Sequence, residues 1–116
     1  MTGNNASALE VSASNSVASD TEKAKFIRLR DKWRSERGPE SSTTRLVMHP
    51  AYQAIIGMGP SIIPLLLHEL EKQVDAWFWA LQAITEEDPV SQEFRGNWQE
   101  MGKAWIAWGK ERGYKW

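Results

Sequence analysis

Apolar residues return every three or four positions along most of the chain from Ser19 onward, which is the period of a helix and not the alternation of a strand. Phe26, Leu29 and Trp33 stand at i, i+3 and i+7 with Ile27 beside them, predicting a first helix with one apolar stripe. Ser19-Asp20-Thr21-Glu22 marks its start as a capping box, in which the serine hydroxyl and the glutamate carboxylate each take an orphan backbone N–H. Gly38-Pro39 ends it, since glycine accepts the left-handed cap conformation and proline cannot continue the helix. Glu40 to Thr44 reads as a polar loop. Pro50 suits the first position of a second, short helix, with His49 at its N-cap and Tyr52, Ile55 and Ile56 as its apolar residues. Gly57-Met58-Gly59 stops that helix.

A third helix is predicted from Pro60 to about Lys72, with Ile62, Ile63, Leu66, Leu67 and Leu70 on a wide apolar face. Pro64 falls in or just past its first turn, where a missing N–H costs little. Asp75 is the expected N-cap of a fourth helix. Its Trp77, Phe78, Leu81 and Ile84 wrap most of the circumference and call for burial. After a loop from Glu86 to Gly96, Asn97 caps a fifth helix with Glu100 in the capping-box position. Trp98, Met101, Trp105 and Trp108 follow a coiled-coil-like seam, and Gly113 ends it. The pattern predicts an all-α fold: a small closed bundle of about five helices in a single domain, residues 20–116. Residues 1–19 are rich in Ser, Asn and Ala with Glu10 their only charge, and are expected to be a disordered tail.

The run Gly59-Pro60-Ser61-Ile62-Ile63-Pro64-Leu65-Leu66-Leu67-His68-Glu69-Leu70 resembles the first helix of a HEAT repeat, with proline near its start and leucines down one face. Asp75, Ala80-Leu81 and Ile84 resemble the second. Where that family usually carries an arginine after the aspartate, this chain has Trp77-Phe78-Trp79. The resemblance implies a helical hairpin. Stacked repeats need about three units to bury a continuous core, so one HEAT-like helix pair closed off by the other helices is expected, not a solenoid. The stretch from Leu46-Val47-Met48-His49-Pro50-Ala51-Tyr52 to Trp105-Ile106-Ala107-Trp108-Gly109 is also similar to a family of small uncharacterised bacterial proteins, often encoded beside a second small gene. That resemblance implies a two-gene module of antitoxin or immunity type and brings no catalytic residues.

Composition removes several function classes. With no cysteine there is no disulfide framework and no thiolate chemistry. The N-terminal residues lack the basic and apolar regions of a signal peptide, and the run Ile62 to Leu67 is far short of a membrane span. A cytoplasmic address without membrane contact follows as the expectation. His49 and His68 are too far apart for a zincin helix, so no metal site is expected. Glu86, Glu87, Asp88 and Glu93 lack the ligand spacing of an EF-hand and read as a solvated loop, with Arg95 as a partner. No nucleophile–base spacing and no phosphate-cradling glycine pattern is present. The expected protein is therefore not an enzyme and needs no cofactor.

Charge is distributed unevenly. Seven Lys/Arg face four Asp/Glu from Asp20 to Arg37, three face nine from Gly38 to Met101, and four face one from Gly102 to Trp116, so two basic ends flank an acidic middle. The simplest account is that the ends dock on the middle. Lys25, Arg28 and Lys32 form one stripe of the first helix and Arg30, Arg34 and Arg37 another, which makes a small nucleic-acid-binding regulator the alternative function. Tryptophan carries the leading reading. Seven are present, more than a small core readily encloses. Trp33, Trp77, Trp98 and Trp105 are expected inside, leaving Trp79, Trp108 and Trp116 as a docking patch for a protein partner, with a neighbouring gene as its source. Self-association through the seam of the fifth helix is a third reading.

Overall fold

The computed structural model describes residues 18–39 and 42–116. The tail expected at residues 1–19 lies outside them except for Ala18 and Ser19. Six α-helices follow: α1 (Asp20–Glu36), α2 (Thr43–Met48), α3 (Pro50–Gly57), α4 (Ile63–Lys72), α5 (Phe78–Thr85) and α6 (Trp98–Glu111). Short 3-10 turns at Pro60–Ile62 and Gln92–Phe94 join α3 to α4 and α5 to α6. Among the described residues there is no strand, and the fold is all-α.

The capping box opens α1 as its residues predict. Ser19 Oγ accepts from the Glu22 N–H at 3.1 Å and Glu22 Oε1 accepts from the Ser19 N–H at 3.0 Å. The other Glu22 oxygen accepts from Ser61 Oγ at 2.6 Å, tying the start of α1 to the Pro60 turn. That hydrogen bond, with those from Ser19, holds the Glu22 carboxyl below the usual range. At α3, His49 Nδ1 accepts from the Ala51 N–H at 3.0 Å and Pro50 takes the first helical position.

Two expectations need correction. The polar loop from Glu40 to Thr44 gives way at Thr43 to α2, capped by Ser42. Its six residues are too few to show a period, and it exists because Leu46 and Val47 pack on the core while the Leu46 carbonyl accepts the Trp33 indole N–H at 2.9 Å. Asp75 does not cap the fourth helix. That helix begins at Phe78 after Trp77, and the Asp75 carboxylate turns back to accept from the Ala76 N–H at 2.7 Å.

The helices pack in pairs. α1 lies chiefly on α3, α3 on α5, and α4 on α6. α4 and α5, which carry the HEAT resemblance, therefore pack more closely on other helices than on each other. Trp77 is the hub of the first half of the core: its ring centre is 4.8 Å from Trp33, 5.8 Å from Phe26 and 5.9 Å from Tyr52. In the second half, Gly109 faces α4 and lets α6 approach it closely. A Cβ at Gly109 would come within 2.5 Å of Leu67 Cδ1. Trp105 and Trp108 fill the space beside that contact, at 5.1 Å from each other.

The Tyr52 hydroxyl joins α3 to the entry of α5. It donates to the Ala76 carbonyl at 2.6 Å and accepts from the Ala80 N–H at 2.9 Å, all of it buried. Removing it strands one donor and one acceptor away from water. Tyr52→Phe is expected to lower the stability by about 1–3 kcal/mol, read from the urea midpoint at constant m-value. A midpoint equal to the parent's would mean that water replaces the hydroxyl.

Candidate functional site

Residues 30, 34 and 37 share one face of a helix, and on α1 that face meets two buried carboxylates. Arg30 Nη1 donates to Glu69 Oε2 at 2.9 Å and Arg34 Nη2 to Glu69 Oε1 at 3.1 Å. Arg34 Nε reaches Asp75 Oδ2 at 3.3 Å. Arg37 grips Asp75 with two nitrogens, at 2.8 and 3.1 Å. The Arg37 guanidinium also lies 4.2 Å from the centre of the Trp33 ring. Glu69 and Asp75 are 5% and 8% exposed, so the guanidinium groups replace most of the water that the carboxylates lost.

This arrangement sorts the six cations proposed for nucleic acid. Arg30, Arg34 and Arg37 are engaged within the fold. Lys25, Arg28 and Lys32 are exposed; Lys32 pairs with Glu36 at 2.8 Å, and the other two have no carboxylate partner among the described residues. Both basic ends contact the acidic middle: at the other end, Arg112 donates to Glu87 at 2.9 Å, while Arg95 and Asp88, both of the middle, pair with each other at 2.7 Å.

Burial on its own would push the Asp75 carboxyl up. The hydrogen bonds from Arg37 and the Ala76 N–H, with the charges of Arg37 and Arg34, outweigh it and hold the group below the usual aspartate range. A depressed folded pKa means stability that is fully present above the unfolded value, about 3.9, and lost as pH falls through the lower folded value. Asp75→Asn should therefore flatten the acid limb of a stability-against-pH curve. At neutral pH it should cost about 2–3 kcal/mol by leaving Arg37 and Arg34 short of a partner. Urea titrations from pH 7 down to below pH 4 measure both effects, and an unchanged acid limb would count against the clamp.

The tryptophans expected to form one patch are in three different settings. Trp108 is in the core, 7% exposed. The chain turns back at Gly113, whose φ is +86°, and stacks Tyr114 on the Trp108 ring at 5.5 Å. Glu87 accepts the Trp108 indole N–H at 3.2 Å, and Arg112 lies over the ring. The hydrogen bonds from Arg112 and Trp108 hold the Glu87 carboxyl below its usual range. The seam proposed for self-association is thus half consumed, because Trp105 and Trp108 both point inward. Trp116 is half-buried at the other side of the C-terminal end of α6.

Trp79 is half-buried and joins Trp98, which was expected inside. Trp79, Trp98 and Phe78 meet edge to face, with ring centres 5.6–5.9 Å apart. Phe94, on the turn before α6, is exposed beside them in sequence. A cleft of about 180 Å³ opens here, with Phe78, Val90, Met101 and Trp105 as apolar lining and Gln82, Asp88 and Arg95 as polar lining. Trp79 is fixed by α5, and Trp98 by an N-terminus capped through Asn97, which accepts from the Glu100 N–H at 3.2 Å. The spacing of α6 hid Trp98, because periodicity places it on the seam but does not say that the first turn overhangs the core.

Among the described residues no three potential ligands cluster in a way that would hold a metal ion. Glu87 and Asp88, from the acidic loop, diverge to separate arginine partners. No single helix among the described residues is long and apolar enough to cross a membrane. No family model, curated protein or solved structure matches the chain.

Proposed function

We propose that this chain is a non-enzymatic protein-binding module that docks its partner on the Trp79–Trp98 face. The observation that carries this reading is a set of rings held edge to face on two helices, partly exposed, beside an apolar cleft. Rigid aromatic side chains next to a pocket are the usual anchors of a protein interface, since they present large area at low entropy cost. The ion pair of Arg95 and Asp88 supplies a polar rim that would help to exclude water around the anchor. In this reading the partner is the product of a neighbouring gene, and the chain is the antitoxin, immunity or adaptor member of a two-gene bacterial module, working in the cytoplasm without a cofactor. The HEAT resemblance of α4 and α5 belongs to the same proposal, with α5 as the helix that presents Trp79.

The second reading, nucleic-acid binding, keeps only the outer stripe of α1, Lys25, Arg28 and Lys32, as its support. One comparison separates the two. Tagged protein purified from its native host should retain a defined partner, and Trp79→Ala should weaken the isolated complex by at least about tenfold while circular dichroism stays that of the parent. A mobility-shift titration at low and moderate salt should give no complex with DNA or RNA. Steeply salt-dependent binding that is lost in Lys25→Glu/Arg28→Glu and kept in Trp79→Ala would reverse the assignment.

A further inference from the structure

The far end of α6 carries a surface of different chemistry. Gly113 turns the chain, and its N–H and that of Tyr114 close the helix end on the carbonyls of Lys110 and Gly109, at 3.1 and 3.0 Å. Trp116 then packs against Gly109, where an added Cβ would sit 3.1–3.2 Å from its ring. Its indole N–H donates to Glu71 on α4 at 2.9 Å. The ring is thereby fixed with part of its surface open.

Trp116 borders two hollows. One, of about 260 Å³, is floored by Pro64 and Leu65 of α4 and flanked by Lys23 of α1, His68 and Lys115. The other, also about 260 Å³, shares Trp116 and Lys115 with the first and adds Glu71, Lys110 and Tyr114. A third hollow of about 410 Å³ shares Glu71 and Lys110 and continues between α4 and α6 over Leu70, Val74 and Ile106. Shared lining joins these into one shallow, open groove, apolar at Pro64 and Leu65, at the Trp116 ring, and at Leu70, Val74 and Ile106. Lys23, Lys110 and Lys115 have no carboxylate partner among the described residues, whereas the lining carboxylate, Glu71, is held by the Trp116 indole. Lys103 at the far end pairs with Glu100 at 3.2 Å.

An occupant must satisfy both the floor and the rim. A nucleic acid would use the lysines and leave Leu65, Val74 and Ile106 uncovered. A bilayer surface would meet the rim, but it needs large apolar side chains projecting outward, and here Leu70 is buried and Leu65, Val74 and Ile106 are half-buried. We infer that this groove binds an acidic peptide segment carrying apolar side chains: the apolar groups rest on the Leu65–Trp116–Ile106 floor, and the carboxylates meet Lys23, Lys110 and Lys115. The site is independent of the Trp79–Trp98 face. The third hollow runs along α6 as far as Gln99, next to Trp98 in sequence, but no residue lines both it and the cleft beside Trp79.

The probe is a short fluorescein-labelled peptide with Leu and Phe flanked by Asp and Glu, titrated with the full chain and followed by anisotropy. It should bind saturably and more weakly as salt rises, and Lys23→Glu/Lys115→Glu should weaken it by about tenfold or more. Trp116→Ala should weaken it similarly with an unchanged circular dichroism spectrum, and Trp79→Ala should leave it unaltered. The charge-reversed peptide, with Lys in place of Asp and Glu, should not bind. Equal binding of both peptides, or indifference to Lys23→Glu/Lys115→Glu, would overturn the proposal. So would sedimentation with phosphatidylserine vesicles in place of peptide binding. Acidic-peptide binding seen only after removal of residues 1–17 would also overturn it, by making the chain's own N-terminal segment the occupant. Failure of the docking reading shows in the Trp79 variant, and failure of this one in the lysine variants.

Discussion

Two carboxylates at the end of α4 and just beyond it decide where α1 lies. Glu69 and Asp75 are buried, and the guanidinium groups of Arg30, Arg34 and Arg37 replace the water that both carboxylates lost. The apolar stripe of α1 would pack on α3 through Phe26 and Trp33 in more than one register. The arginines select one, because a turn's displacement would leave charges unpaired inside. The same contact sets the core. With α1 held in place, Trp33 covers Trp77, and Trp77 in turn seats Tyr52, whose hydroxyl orients the first turn of α5. Trp79 follows two residues after Trp77, so the half-exposed face is positioned by the clamp at one remove.

The helices themselves were readable in the chain because each carries its own local instructions. Capping groups at Ser19, His49 and Asn97 and the leucine face of α4 act within a few residues, and the structure places those elements where they indicate. What stayed hidden depends on distance along the chain. Asp75 looks like a cap because caps are local, yet its partners are Arg34 and Arg37, supplied from about forty positions upstream. α2 has no readable period and is made by the Trp33 indole and the surface that Leu46 and Val47 cover.

The tryptophans illustrate the same limit. Their number signals an excess over what a core needs, and Trp79 and Trp116 are indeed only half-buried. Which others are covered depends on the return of the chain after Gly113, which hides Trp108, and on the overhang of the first turn of α6, which uncovers Trp98. Neither follows from spacing. The lysine-rimmed groove was equally invisible, since Lys23, Leu65, Ile106 and Trp116 come from three helices and the C-terminal segment. The molecule thus presents two unlike surfaces on different faces of α6, one aromatic and one cationic with apolar lining.

The clamp also imposes an order on the making of the protein. Arg34 and Asp75 are separated by 41 residues. At ribosomal speeds of about 5–20 residues per second, α1 waits roughly 2–8 s between its own synthesis and that of its second carboxylate. For the first part of that interval, until α3 has been made, the stripe containing Phe26 and Trp33 lacks the helix it chiefly packs on, and Arg37 lacks its carboxylate until the end. Folding cannot proceed helix by helix from the N-terminus. The contact that fixes α1 can close only once the chain has been made through Asp75, with α5 and α6 still to follow.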